Sequence, residues 1–134
     1  MEWNIKEFII NSVEEDILIV RQKDAVPRMT KEGAIECVEK IIELCKIDDR
    51  PKVMIAYVAS LYINKDVLKV FIDNPIPENV CANGLISHSF LAKNMASIIL
   101  KMRTRFVKND VPTEIFSTEE AALEWGRSLL SSKS

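Results

Sequence analysis

The sequence has few of the residues on which most catalytic and metal-binding motifs depend. Its 134 residues include one histidine and three glycines. Three glycines are too few for the usual phosphate-binding loops, and the sequence has no P-loop, dinucleotide-binding, serine-hydrolase or zinc-protease pattern. We therefore expect no cofactor and no enzyme of these kinds.

The cysteines are also few and widely spaced. Cys37, Cys45 and Cys81 form no C-x-x-C pair, and one histidine is available to share a metal ion with them. This spacing favours neither a zinc site nor a redox pair. Because free cysteine behaves as a small apolar residue in most protein cores, we expect buried, reduced thiols.

Long apolar segments and a strong charge of one sign are absent as well. No apolar run approaches the roughly 20 residues that a membrane-spanning helix needs, and the first residues resemble neither a signal peptide nor a transit peptide. The 18 basic and 20 acidic side chains leave a formal charge of −2. Such a balance does not attract nucleic acid or an anionic membrane. The sequence predicts a cytoplasmic protein without an integral membrane segment or a nucleic-acid partner.

The first half of the chain contains strand patterns followed by a helix pattern and another strand. β-branched runs at residues 7–11 and 17–21 predict a hairpin. Thr30 is expected to cap a helix whose apolar residues recur at helical spacing as far as Cys45. Residues 52–58 are almost continuously apolar, which is typical of a parallel strand covered on both faces.

The second half continues this alternation. Asn64 is expected to cap a short helix, and residues 80–86 predict a buried strand whose small central residues allow a helix or ligand to approach its backbone. A long helix capped by Ser87 or Ser89 is expected to reach about Lys108. Its apolar residues at helical spacing are predicted to face the core: Leu91, Met95, Ile98, Ile99, Met102 and Phe106.

The last elements are a strand at residues 111–116 and a helix that starts with a capping box at residues 117–120. The predicted order is β-β-α-β-α-β-α-β-α over a single domain, residues 1–134. Because parallel neighbours need crossover helices, this order indicates an α/β fold with a mostly parallel sheet.

Two groups of polar residues are candidates for a site. His88 could act as a general base near neutral pH and lies between Ser87 and Ser89, although capping and exposure explain these residues more simply. The long helix also has a basic face that could meet an acidic partner or lipid headgroups, although such a face is most often simply solvated. This face consists of Lys93, Lys101, Arg105 and Lys108.

Residues Pro112–Trp125 contain a proline, a short strand, a small cap, an acidic pair, alanine, leucine and tryptophan. This segment resembles the closing strand and helix of STAS-like, SpoIIAA-like bacterial proteins, and Val80–Phe106 resembles the variants common in Bacteroidetes-type bacteria. The resemblance implies a five-stranded sheet with flanking helices and a non-enzymatic role in regulation or ligand binding. The sigma-factor antagonists of that superfamily carry a phosphorylated serine in an Asp-Ser-Ser-Gly pattern. That pattern is absent here, and Ser60 is the nearest hydroxyl.

Three functions follow as hypotheses. The first is a regulatory or protein-interaction module that meets a protein partner or a second copy of itself. Its interaction loop is predicted to comprise Ser60, Leu61, Tyr62, Ile63, Asn64 and Lys65, and exposure of Leu61, Tyr62 and Ile63 would support this hypothesis. The second is a carrier or sensor of a small apolar, lipid-like ligand, with an adaptable pocket formed by Met54, Met95 and Met102. The third is an enzyme that uses His88.

Overall fold

The computed structural model describes residues 1–24, 28–58, 63–73, 77–106 and 111–133. They form six strands and four helices in the order β-β-β-α-β-α-β-α-β-α. The strands are β1 (Glu2–Asn4), β2 (Phe8–Glu14), β3 (Ile17–Gln22), β4 (Lys52–Tyr57), β5 (Val80–Ile86) and β6 (Thr113–Phe116). The helices are α1 (Lys31–Cys45), α2 (Lys65–Asp73), α3 (Phe90–Phe106) and α4 (Glu119–Lys133).

One sheet contains all six strands in their sequence order. The pairs β1–β2 and β2–β3 are antiparallel, whereas β3, β4, β5 and β6 run parallel to one another. The predicted α/β class with a mostly parallel sheet is therefore confirmed. Each parallel connection contains a helix, as a crossover requires.

The predicted number of strands was wrong, because β1 precedes the predicted hairpin. Trp3 of β1 lies opposite Ile10 of β2. With three residues, of which Trp3 alone is apolar, this strand is too short for alternation to predict it, and it forms through pairing with the edge of β2. The predicted loop at residues 12–16 is also mostly strand, because β2 continues through a bulge to Glu14.

The two faces of the sheet are covered unequally. Helices α1, α2 and α3 pack on one face, against side chains such as Phe8, Val20 and Leu85. Helix α4 packs on the other face, where Ile17, Val53 and Ile55 are fully buried. Strand β4 is thus buried from both sides, as its apolar run predicted.

Most of the predicted helix starts are confirmed by their caps. The side chain of Thr30 accepts a hydrogen bond from the Gly33 N–H at the start of α1. Ser89, the second of the two candidates, caps α3 by accepting from Ala92. The cap of α4 lies one residue later than the box predicted, since Thr118 Oγ1 accepts from the Ala121 N–H at 3.2 Å.

Two other predictions need correction or restriction. Ile98 was predicted to face the core, but it is 47% exposed, whereas Met95 of the same helix is buried. The predicted end of this helix near Lys108 lies outside the described residues.

All three cysteines are free. Cys37 and Cys45 are buried as predicted, but Cys81 is only half-buried.

None of the helices in the described parts of the chain is long and apolar enough to cross a membrane.

Glu7 is a buried carboxylate that fixes the start of α1. Its Oε1 accepts a hydrogen bond from the Thr30 N–H at 2.8 Å, and its Oε2 accepts from the Thr30 hydroxyl. A Cβ atom added at Gly33 would overlap this carboxyl group. A larger side chain at this position would therefore have to displace the Glu7 carboxyl group from Thr30.

A double-mutant cycle tests this constraint. Gly33→Ala alone should lower the free energy of unfolding by about 2 kcal/mol, because the methyl group has to displace the Glu7 carboxyl group. In a Glu7→Ala background, the same substitution should raise it by up to about 1 kcal/mol, as expected for glycine to alanine in a helix. Urea denaturation measures all four proteins. An equal effect of Gly33→Ala in both backgrounds would contradict the contact.

A second polar network lies at the amino end of β4. Lys52 is almost completely buried, and its Nζ contacts Asp16 Oδ1 at 2.9 Å and Asp48 Oδ1 at 2.7 Å. Arg50 contacts the same two carboxylates. Burial opposes ionisation of Asp16, but the hydrogen bonds from Lys52 and Arg50 outweigh it and lower the pKa of Asp16. The hydrogen bond from Lys52 likewise lowers the pKa of Asp48.

Burial lowers the pKa of Lys52, but the hydrogen bonds and ion pairs with Asp48 and Asp16 outweigh this effect and raise it. A lowered carboxyl pKa gives stability that is lost as the pH falls through it, and a raised lysine pKa gives stability that is lost as the pH rises through it. The network should therefore stabilise the fold most strongly between about pH 5 and pH 9.

Lys52→Met should reveal this pH dependence. The variant should be less stable than the parent protein by about 2 kcal/mol in that range, because two carboxylates lose a buried cation. The difference should shrink at more acidic and at more alkaline pH. Chemical denaturation across the pH range measures it, with Lys46→Met at an exposed position as the control. A difference that does not change with pH would contradict the ion pairs.

Candidate functional site

A cavity of about 210 Å³ lies between the sheet and helices α1, α2 and α3. Its wall is mostly apolar. The sheet contributes Phe8, Val20, Met54, Ala56, Val58 and Leu85, and the helices contribute Cys37, Val38, Ile41, Leu68, Phe71 and Ile99. A concave, largely apolar space with few polar groups is the usual form of a small-molecule site.

The register of the parallel strands determines the floor of this cavity. One row of neighbouring residues consists of Met54, Asn83 and Thr113, and the next row consists of Val20, Ala56 and Leu85. Ala56 is the smallest side chain in the second row, at the centre of the sheet. A small residue in the centre, with larger residues on either side, leaves space below the helices.

The wall contains few polar groups. Asn83 and Thr113 lie side by side on the floor, and Arg103 lines the cavity from α3. Gln22 contributes a further polar group to the wall. Among the described residues that line the cavity, none is Asp, Glu, Lys or His. Arg103 is therefore the charged residue of the described wall.

Asn83 is an unusual residue for the middle of this strand. Its backbone N–H donates to Pro112 O at 2.9 Å, as sheet pairing requires. Its side-chain amide has no hydrogen-bond partner among the described residues. The half-buried amide is therefore available to donate and accept hydrogen bonds with a ligand on the cavity floor.

Arg103 is held in place by α2. It is 8% exposed, and its Nη1 donates to the carbonyl oxygen of Phe71 near the end of that helix at 3.5 Å. Cys37, on the opposite helix, is uncharged at neutral pH because burial raises the pKa of its thiol to about 12.

The predicted methionine pocket is only partly correct. Met54 lines the cavity, but Met95 and Met102 pack into the core below α3 and do not line it. Met29, which the sequence analysis did not include, lines the cavity instead.

A second polar cluster lies at the carboxyl ends of the parallel strands, on the α4 face. The Tyr57 hydroxyl donates to Glu119 Oε1 at 2.5 Å, and burial together with this hydrogen bond raises the pKa of Tyr57 to about 12. The rings of Tyr57 and His88 are 5.6 Å apart. His88 Nδ1 lies 2.9 Å from the carbonyl oxygen of Ser117, so it carries the proton and donates.

These contacts do not bring a serine and a histidine together for catalysis. The Ser89 hydroxyl oxygen caps α3, and the buried Ser87 hydroxyl has no hydrogen-bond partner in the described part of the chain. His88 contacts Ser117 and Tyr57 instead. The cluster has a plain structural explanation, since it joins α4 to the end of β4.

The predicted interaction loop is only partly described. Ser60, Leu61 and Tyr62 lie outside the described residues. Ile63 was expected to be exposed, but it is 8% exposed and lines the cavity, because it closes the core above α2. Asn64 and Lys65 are exposed, and Asn64 Oδ1 accepts from the Asp66 N–H at 2.9 Å, which supports its predicted capping role.

Half of the predicted basic face can be placed. Lys93 and Lys101 are exposed on α3. The side chain of Arg105 and all of Lys108 lie outside the described residues.

Sequence reasoning missed Arg103, the buried arginine of the same helix, because helical periodicity distinguishes apolar from polar faces but does not identify a buried cation. The signal for Asn83 was its interruption of an apolar strand.

Comparison with known proteins gives a family without an assigned activity. Neither the curated proteins nor the solved structures include a match to this chain. One family model, described as a domain of unknown function (DUF7793), matches residues 11–130, from the middle of β2 to the last turns of α4. The chain therefore belongs to the DUF7793 family.

Proposed function

We propose that this protein binds a small, largely apolar molecule between its sheet and helices α1 to α3, as a carrier or a sensor of that molecule. The cavity of about 210 Å³ is the observation that supports this function best. Its apolar wall would hold the body of the ligand, and its few polar groups would orient one end.

The size of the cavity supports an occupant. An engineered apolar cavity of about 150 Å³ holds benzene, so 210 Å³ has room for about eight non-hydrogen atoms. A molecule that binds there and not to the unfolded chain would stabilise the fold in proportion to its affinity and concentration.

The side chains of the wall also favour ligand binding. Met54 and Met29 are unbranched and adopt many shapes, which lets a wall fit ligands of different outline. Arg103, Asn83 and Thr113 lie within this apolar wall, where each polar contact counts more than it does in water.

We also propose that this chain has the STAS-like, SpoIIAA-like fold. Four parallel strands with a helix in every crossover, and a closing helix that is capped by Thr118, support it. The antiparallel strand β1 is an addition to the five strands that this plan implies.

A series of straight-chain alcohols tests the cavity. From butanol upward, each added CH₂ should tighten binding by about fourfold, because about 0.8 kcal/mol is gained per buried CH₂. The gain should end near seven or eight carbons, when the cavity is full. Shifts of amide signals in two-dimensional NMR would give the dissociation constants.

The matched control is a variant with a filled cavity. Ala56→Leu should weaken the binding of heptanol by at least about tenfold, since the larger side chain occupies the ligand's space. Val13→Leu, at an exposed position of β2, should bind like the parent protein. Affinity that rises steadily to dodecanol and is unchanged by Ala56→Leu would show binding outside the cavity and refute the proposal.

A second candidate function is the interaction module, with a second copy of the chain as the partner. On α3, Phe90 is 80% exposed and Ile98 is 47% exposed, on the side of the helix that carries the basic residues Lys93 and Lys101. Helix α1 presents an exposed acidic stripe on the same face of the sheet. The stripe comprises Glu32, Glu36, Glu39 and Glu43.

The order of these helices suits a symmetric pair. Helix α2 contacts both α1 and α3 and lies between them. A twofold axis near α2 would therefore place the acidic α1 of one copy opposite the basic α3 of the other. Both contacts would be equivalent, which is the usual geometry of a homodimer.

Charge reversal tests this pairing by sedimentation velocity. Lys101→Glu and Glu39→Lys should each weaken self-association by about fivefold, because each introduces like charges, and the double variant should recover it. Lys46→Glu, at the end of α1, is the control. If the parent protein stays monomeric at every concentration, or the double variant fails to recover, the dimer is refuted.

A further inference from the structure

Two polar side chains are neighbours on the floor of the cavity. Asn83 of β5 and Thr113 of β6 are partners in the parallel register, and both line the cavity. Adjacent strands of a sheet lie about 4.8 Å apart. One polar group of a bound molecule can therefore contact both side chains.

The two side chains offer different hydrogen-bonding groups. The Thr113 hydroxyl donates to Val111 O at 3.1 Å, so its proton is in use and its oxygen can only accept from a ligand. The side-chain amide of Asn83 has no hydrogen-bond partner among the described residues. Its two N–H groups can donate and its Oδ1 can accept. A complementary ligand therefore needs hydrogen-bond donors as well as an acceptor.

Other polar side chains of the wall already have partners within the protein. Gln22 and Arg103 each make such interactions, and one partner of Arg103 is the carbonyl oxygen of Phe71. Asn83 and Thr113 differ from them, because the hydrogen bonds of the described residues leave both with groups available to a ligand.

We infer that the molecule bound in this cavity ends in a primary amide, which lies on Asn83 and Thr113 while an apolar body fills the remaining space. This inference rests on the proposed function, because it names the class of molecule that the cavity binds. A primary amide has one carbonyl acceptor and two N–H donors. Its oxygen accepts from the Asn83 amide, one N–H donates to Asn83 Oδ1, and the other donates to Thr113 Oγ1.

Other common polar groups match this floor less well. A ketone or an ester accepts from Asn83, but it provides no donor for Asn83 Oδ1 or Thr113 Oγ1. An alcohol has a single donor, so it satisfies one of these two oxygens and leaves the other. A polar atom that is buried without a partner weakens binding, and a site of this kind therefore selects the ligand that pairs with every polar group.

The test compares hexanamide with 2-heptanone, in which a methyl group replaces the amide nitrogen. The two molecules have the same outline, and each has about the number of atoms for which the cavity has room. Because water hydrates them differently, the informative quantity is the change in each dissociation constant when the protein is altered. NMR titration of the full-length protein measures both constants.

Asn83→Leu replaces the amide with an apolar group of the same branched shape. It should weaken the binding of hexanamide by about thirtyfold, because the ligand's amide loses two hydrogen bonds and stays buried. The binding of 2-heptanone, which loses one hydrogen bond, should weaken by about fivefold at most. Asn94→Leu, at an exposed position of α3, is the matched control and should change neither constant.

Thr113→Val tests the second donor of the ligand and keeps the test decisive if Asn83→Leu fails to fold. Valine has the shape of threonine and is favoured in strands, but it cannot accept a hydrogen bond. This variant should weaken hexanamide by about fivefold and leave 2-heptanone unchanged. Unchanged binding of hexanamide would refute the assigned position of the amide.

The outcomes separate this inference from the proposed function. If Ala56→Leu weakens both ligands, but each floor variant changes the two dissociation constants equally, the cavity is a binding site and the amide preference is wrong. If neither ligand binds to the parent protein, the proposed function fails as well.

Discussion

The central strands β4 and β5 have to be covered on both faces, and the arrangement of the helices follows from this requirement. On one face, α4 alone covers them. It lies close to the sheet, because Ala122 is fully buried and a Cβ atom added at Gly126 would lie 3.3 Å from Val53. On the other face, a wider layer of three helices covers the sheet. The close layer forms a dense core, and the wider layer contains the cavity.

Polar anchors hold this wider layer at its ends. Glu7 accepts from Thr30 at the start of α1. At the other end of α1, the Asn79 amide donates to the carbonyl oxygens of Cys45, Asp48 and Arg50. Lys52 joins the same loop to β4. Because both ends of α1 are tied to the sheet by buried polar groups, the helix does not depend on tight packing along its middle, beside the cavity.

The cavity combines features that a fold selected only for stability would lack. It leaves space beside Ala56 at the centre of the sheet, an amide without a partner at Asn83 and a buried cation at Arg103. These features lie around one space, which is the reason to assign them a common role in binding a small molecule. By contrast, the cluster of Tyr57, Glu119 and His88 is fully explained by the attachment of α4.

The sequence by itself determined the strand and helix alternation, the parallel pairing that it requires and most of the helix caps, because these depend on local patterns at Thr30, Ser89 and residues 52–58. Only the tertiary structure decided the rest. Strand β1 exists through pairing with β2, Ile63 is buried by the core that it closes, and Arg103, Asn83 and Thr113 line one cavity from three separate elements. Periodicity identifies which face of an element is apolar, but it does not specify the distance between layers. That distance decides whether the space between the sheet and helices α1 to α3 is core or cavity.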